Sequence, residues 1–141
     1  MNISGSCHCD NLQYHLDWPA DADEIPKRVC GCSFCVKHSG SWTSHRDAGL
    51  VVTVHDEKLL SRYRFGTKTA DFFVCARCGV APLVMCEIDD ALYAVVNVNT
   101  FDQPSDYTFS STATNFDGED TGSRLERRKR NWIPNVRIVN A

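Results

Sequence analysis

Cysteine is the residue type whose number and spacing could do chemistry. Eight of the 141 residues are cysteine. Cys7-His8-Cys9 is a C-x-C pair, Cys30-Gly31-Cys32-Ser33-Phe34-Cys35 a C-x-C-x-x-C triplet, and Cys75-Ala76-Arg77-Cys78 a C-x-x-C pair followed by Gly79; Cys86 stands alone. Cysteines a few residues apart pair poorly as disulfides and well on a metal. Zn²⁺ takes four ligands tetrahedrally, and two cysteines on one tight turn supply two of them at little entropic cost. Gly79 suits such a turn, because glycine reaches the left-handed backbone freely. Cys7, Cys9, Cys75 and Cys78 therefore predict a closed four-thiolate site that clips the start of the chain to its middle. Cys30, Cys32 and Cys35 are then left as three ligands from one loop. Three ligands and an open fourth position describe a catalytic zinc rather than a structural one. Spacing leaves alternatives open: the triplet could close by borrowing Cys86, His8 or His38, or an iron–sulfur cluster could take the thiolates. No βαβ pattern surrounds Cys75 and Cys78, which argues against a thioredoxin-like pair. Cys86 is expected to pack as a small buried hydrophobe.

An open zinc position suits thiol chemistry. A free thiol has a pKa of about 8.5, and zinc deprotonates a coordinating thiol outright. A substrate thiol captured there as thiolate would stand beside an aldehyde carbonyl, attack it and give a hemithioacetal; the reverse is the lyase direction. Three cysteine thiolates weaken zinc as a Lewis acid, so thiolate capture fits better than water activation. Lys37 and His38 follow the triplet and are candidates to offset charge or relay a proton, a solvated turn being the plain alternative. Ser33 is placed to hydrogen-bond a cysteine sulfur, and Phe34 to pack. Arg64 and Lys68 lie where they could meet a substrate carboxylate or simply face water. Arg124 to Arg130 is the one basic run, with Glu126 interspersed, and reads first as a solvated helix face.

The rest of the composition is that of an ordinary globular chain, 43% apolar and 23% charged. Its length predicts one domain, residues 1–141, with enough chain to bury a core. No apolar run approaches the roughly 18–20 residues of a membrane span, and Met1 to Asp10 lacks the basic and apolar regions of a secretory signal. The expectation is a cytoplasmic protein whose thiols stay reduced. A formal charge of −3 argues against a nucleic-acid partner.

The elements that must carry these residues are mostly strands. Leu12 to Leu16 alternates apolar and polar, and Leu50 to Val54 is β-branched. Leu60 to Phe65 and Asp71 to Val74 flank Gly66-Thr67-Lys68-Thr69 as a hairpin whose second arm delivers Cys75. Pro82 to Ile88 and Leu92 to Val98 flank Asp89-Asp90 as another. Val36 to Gly40 predicts a short turn of helix, Gly122 to Arg130 a longer one, and Asp17 to Lys27 an acidic loop. The fold class is mostly β, a zinc-stapled domain with short helical turns.

Three stretches carry a resemblance. Gly5-Ser6-Cys7-His8-Cys9, Cys30 to Gly40 and Phe73 to Val80, in that order, resemble the glutathione-dependent formaldehyde-activating enzyme and centromere protein V family. The resemblance covers about residues 5–101, leaving 102–141 as a C-terminal extension. It implies a β-tent fold of several coiled sheets. It implies a structural zinc on Cys7, Cys9, Cys75 and Cys78, and a catalytic zinc on Cys30, Cys32 and Cys35. The implied activity is a carbon–sulfur lyase that interconverts glutathione and formaldehyde with S-(hydroxymethyl)glutathione, so a small thiol such as glutathione is the expected partner. Asp10 stands where that family usually has glycine. Two other readings compete: a zinc-stapled module that binds protein or nucleic acid, and a methionine-sulfoxide-reductase-like enzyme with Cys86 as nucleophile.

Overall fold

A computed structural model describes residues 1–21 and 24–141. Among these residues, eleven strands lie in two sheets. In chain order the elements are β1 (Asn2–Ser6), β2 (Leu12–Asp17), β3 (Ile25–Cys30), α1 (Ser33–His38), β4 (Ser41–Thr43), β5 (Gly49–Val54), β6 (Leu60–Tyr63), β7 (Asp71–Cys75), β8 (Leu83–Ile88), β9 (Ala91–Asn97), β10 (Phe109–Thr114), α2 (Thr121–Asn131) and β11 (Asn135–Asn140). The smaller sheet has the order β1-β2-β5-β11 and the larger one β10-β3-β4-β9-β8-β7-β6. The mostly-β expectation is met, and among the described residues no helix is long and apolar enough to cross a membrane.

The two sheets close on one core. Leu12, Tyr14 and Leu16 of β2 and Leu50, Val52 and Val54 of β5 alternate inward, as the period of a half-buried strand requires. They share a cluster with Phe73, Leu83, Met85, Ala94 and Val96 of the larger sheet. The larger sheet is apolar on its other face as well. There Val84, Cys86, Ile88 and Val95 meet Trp42, Ala70, Phe72, Trp132 and the Cys32–Cys35 region. β8 is therefore buried on both faces and reads as a nearly continuous apolar run.

Turn chemistry sets the hairpins. β8 and β9 pair antiparallel with Ile88 opposite Ala91. Asp89 and Asp90 between them have φ of 51° and 66°, the pair of positive values that a two-residue hairpin turn with the correct twist demands. β6 and β7 pair antiparallel across the expected turn, with Leu60 opposite Cys75. Gly5 in β1 is fixed by packing: a Cβ there would overlap the Tyr14 hydroxyl and the Thr100 carbonyl. The Tyr14 hydroxyl is in turn hydrogen-bonded to Thr100 Oγ1 at 2.8 Å in the buried core.

The acidic loop is shorter than expected. β3 begins at Ile25, within the stretch read as loop, and runs parallel to β10 with Cys30 opposite Thr114; Ala22 and Asp23 of that stretch lie outside the described residues. Pro26 stands in register with Ser110 of β10, before β4 begins to pair with β3 at Arg28, a strand position where the missing N–H is tolerated. β1, β4, β10 and β11 were not expected either, since short and polar strands such as Phe109–Thr114 carry no alternating apolar signal.

Candidate metal centres and an arginine-walled cavity

Two knuckles build the four-cysteine cluster. Where β1 turns into β2, the Cys7 N–H donates to the Leu12 carbonyl at 2.9 Å and the Leu12 N–H donates to Cys7 Sγ at 3.3 Å. Asp10 supplies the left-handed residue of this turn, at φ 67°. Its carboxylate accepts from Ser6 Oγ at 2.8 Å, a local bond of the kind that lets Asp tolerate a conformation suited to glycine. After β7, the Gly79 N–H closes onto the Cys75 carbonyl at 2.8 Å with Gly79 at φ 82°, and the Cys78 N–H points at Cys75 Sγ. The ligand atoms of Cys7, Cys9, Cys75 and Cys78 all lie within 4.8 Å of one another. A tetrahedron with Zn–S of about 2.3 Å sets its sulfurs roughly 3.8 Å apart. The Cys7–Cys9 and Cys9–Cys75 sulfurs stand 3.8 and 3.5 Å apart, so this donor set fits zinc.

The second cluster grows from the end of β3. Cys30 is its last residue, and the Gly31 N–H is fixed to the Thr114 carbonyl at 2.8 Å. Cys32 then caps α1, its sulfur accepting from the Cys35 N–H at 3.3 Å. Cys35 lies one turn on, buried, and its sulfur accepts from the Trp42 indole N–H at 3.3 Å. That approach requires Gly40, where a Cβ would press on the Trp42 ring. The three ligand atoms lie within the same 4.8 Å limit, with no other Cys, His, Asp or Glu in the group among the described residues. His8 and His38 are exposed, and Cys86 faces Arg128 instead. None of the three candidate fourth ligands joins the triplet.

The thiols differ in acidity within each cluster. Cys35 donates toward Cys30, which draws Cys30 down to about 6. The same bond, with burial, pushes Cys35 strongly up. Burial pushes Cys7 up to about 12 and also raises Cys75. At Cys78 burial is outweighed by the Val80 and Cys9 backbone N–H groups and the neighbouring thiols, which bring it to about 6.

A cavity of about 590 Å³ opens beside the triplet. Trp42, Phe65, Phe72, Val84 and Val95 give it apolar walls, and Cys30, Cys32, Ser33 and Cys35 line it too. Four arginines also reach it: Arg28 from β3 and Arg124, Arg127 and Arg128 from α2. α2 is started by Asp120, whose carboxylate accepts from the Ser123 N–H at 2.8 Å, which holds that carboxyl below its usual range. Leu125 and Trp132 anchor the helix against the second face of the larger sheet. Arg124 and Arg127 converge on Glu119, Arg127 at 3.0 Å with its guanidinium 3.6 Å over the Phe116 ring. Arg128 is 6% exposed and donates to Thr69 Oγ1 at 2.8 Å and to Cys86 Sγ at 3.4 Å. The basic run is thus not a solvated face: three of its five cations turn into the cavity. A run of charges hides this, since only the topology shows which sheet face the helix covers.

The substrate candidates read from sequence lie elsewhere. Lys37 is exposed on α1. His38 is exposed and stacks on Phe34 at 4.3 Å. Arg64 is exposed and paired with Asp71. None of them lines the cavity. Phe34 packs as expected, on Phe72, Phe65 and Tyr63.

The molecule is a mostly-β fold with two thiol clusters that could hold metal ions, one of them open to a cavity. Residues 2–116 match the family model described as glutathione-dependent formaldehyde-activating enzyme. The chain belongs to that family, whose members activate formaldehyde with glutathione. Among solved structures it is similar to the crystal structure of a Rhodobacter sphaeroides protein, with a TM-score of 0.51 and 25% identity, covering 76% of this chain and 99% of the other. No curated protein matches the chain.

Proposed function

We propose that this chain is a zinc-dependent carbon–sulfur lyase that forms or cleaves the adduct of a small thiol, such as glutathione, with formaldehyde. Cys30, Cys32 and Cys35 would hold the catalytic zinc, and Cys7, Cys9, Cys75 and Cys78 a structural one. Zinc at the triplet would supply deprotonation and capture of the substrate thiol. The observation that carries this reading is the triplet's position: three convergent sulfurs, with no fourth protein ligand among the described residues, on the wall of a cavity of about 590 Å³.

The chain's own residues supply the rest. Trp42, Phe72, Val84 and Val95 line the cavity together with the sulfurs, and an apolar wall strengthens each polar contact made against it. The Trp42 N–H holds Cys35 in place as a ligand. In the forward direction a carbon–sulfur bond forms, the carbonyl π pair moves to oxygen, and that oxygen gains the proton the thiol has lost. Holding thiol and aldehyde together in one cavity removes most of the entropic barrier to that encounter. The expected setting is the cytoplasm, where small thiols are abundant and reduced.

Cobalt in place of zinc tests the reading, because thiolate-to-cobalt charge-transfer bands report each added thiolate. Adding glutathione should intensify and shift the bands of the wild type and leave those of Cys32→Ser unmoved. Wild-type bands indifferent to thiol would contradict an open site.

A further inference from the structure

Two of the cavity's arginines pair with no carboxylate among the described residues. Among the described residues, Arg128 pairs with no carboxylate: its Nη1 donates to Thr69 Oγ1 and to Cys86 Sγ, and its Nε has no partner. Arg28 donates Nη2 to Ser44 Oγ at 2.7 Å, a hydroxyl that donates onward to the Asn131 carbonyl, and it too makes no ion pair among the described residues. Glu119 is already taken by Arg124 and Arg127. Among the described residues, the wall therefore sets four guanidiniums against the carboxylates of Asp117 and Glu119. Burying a cation without a counter-ion is costly, and buried charges are normally paired. A ligand is the natural counter-ion when the unpaired cation lines a cavity.

We propose that Arg28 and Arg128 form a carboxylate-binding subsite in this cavity, which selects thiols carrying a carboxylate remote from the sulfur. The proposal rests on the lyase reading and names the substrate class of the same site. Guanidinium suits the task because its planar fork matches a carboxylate with two hydrogen bonds. Arg128 is preorganised for it: Thr69 fixes one nitrogen, and the plane sits 4.8 Å from the Trp132 ring. Arg28 also faces a neighbouring open cavity with His45, Arg46, Lys129 and Arg130 on its wall and no carboxylate. That field draws anions toward the site. The competing role, neutralising the triplet's thiolates directly, has no contact behind it. Neither guanidinium hydrogen-bonds Cys30, Cys32 or Cys35 among the described residues, and the triplet's recorded donors are Trp42 and backbone N–H groups.

S-methylglutathione isolates the subsite, because its methylated sulfur cannot be captured as thiolate. Calorimetric titration of the zinc-loaded protein should show binding of S-methylglutathione and a loss of about ten- to a hundredfold with its diethyl ester, the range for hydrogen bonds to a charged group. Arg28→Gln and Arg128→Gln should abolish that difference, with folding checked by circular dichroism. Arg128 is packed in the interior, so Arg28→Gln and Arg28→Lys carry the test if Arg128→Gln does not fold. Equal binding of acid and ester overturns the proposal. So does inorganic phosphate that competes as well as the tripeptide. Variants that keep the affinity for S-methylglutathione but lose zinc would assign the arginines to the metal and overturn it too. The cobalt experiment reads thiol capture alone, so failure of either idea leaves the other's result intact.

Discussion

The indole N–H of Trp42 donates to Cys35 Sγ at 3.3 Å across the β3–α1–β4 turn. Cys35 is the most deeply buried sulfur of the triplet, and this bond fixes where that sulfur points. Trp42 also meets Phe72 edge-on at 6.0 Å. One side chain thus ties the cysteine triplet to the apolar wall. Trp42→Phe keeps the wall and removes the donor. Zinc affinity of the triplet should fall about 10–100-fold, the usual cost of losing a ligand's hydrogen-bond partner, while the four-cysteine cluster keeps its metal. Competition with a chromophoric chelator measures both.

The two clusters should fail differently. Cys75 joins the larger sheet to the knuckle at the start of the chain, and structural zinc contributes folding energy directly, about 10–16 kcal/mol of apparent binding in small zinc domains. Cys75→Ser should unfold or aggregate. Cys32→Ser should stay folded, with one zinc fewer per chain by elemental analysis. Equal loss of fold in both variants would contradict the division of labour.

Gly5 should be intolerant of a methyl group. Its missing Cβ is the space that the Tyr14 hydroxyl occupies, and Tyr14 is fully buried. Gly5→Ala should destabilise the protein by about 1–3 kcal/mol, the usual cost of overpacking, seen as a lower denaturant midpoint with unchanged slope.

Zinc uptake should release protons. In the metal-free protein Cys30 and Cys78 are lowered to about 6, so both are thiolates at neutral pH. That part of native stability is full above the ordinary thiol value of about 8.5 and fades as pH falls through 6. Cys7, Cys35 and Cys75 are raised and keep their protons at neutral pH. Their stabilising effect is full below 8.5 and is lost only in strong alkali. Metal must expel those protons, so zinc affinity should rise steadily from pH 6 to 8. Titration in weak buffer with a pH indicator counts the protons; a flat profile would refute the assignment.

Much of this was legible in the cysteine spacing. A C-x-C or C-x-x-C turn constrains its sulfurs locally, so the grouping of Cys7, Cys9, Cys75 and Cys78 apart from Cys30, Cys32 and Cys35 follows from short-range geometry, and the sulfurs of each group lie together. The Asp89-Asp90 hairpin was legible for the same reason. The cavity was not. Its walls come from Trp42, Phe72, Val95 and Arg128, which meet only through the order of the larger sheet and the docking of α2. Proximity in sequence pointed instead to Lys37 and His38, yet α1 turns both outward. Arg28 gave no signal at all, standing between the acidic stretch that ends at Lys27 and the cysteine triplet.

The most direct test is the rate at which zinc-loaded protein exchanges carbon-13 formaldehyde into S-(hydroxymethyl)glutathione, followed by NMR against the uncatalysed reaction. The wild type should accelerate the exchange in proportion to its concentration, and Cys32→Ser, folded and holding its other zinc, should not. Equal rates with and without the wild-type protein, or full acceleration by Cys32→Ser, would contradict a reaction carried by the triplet.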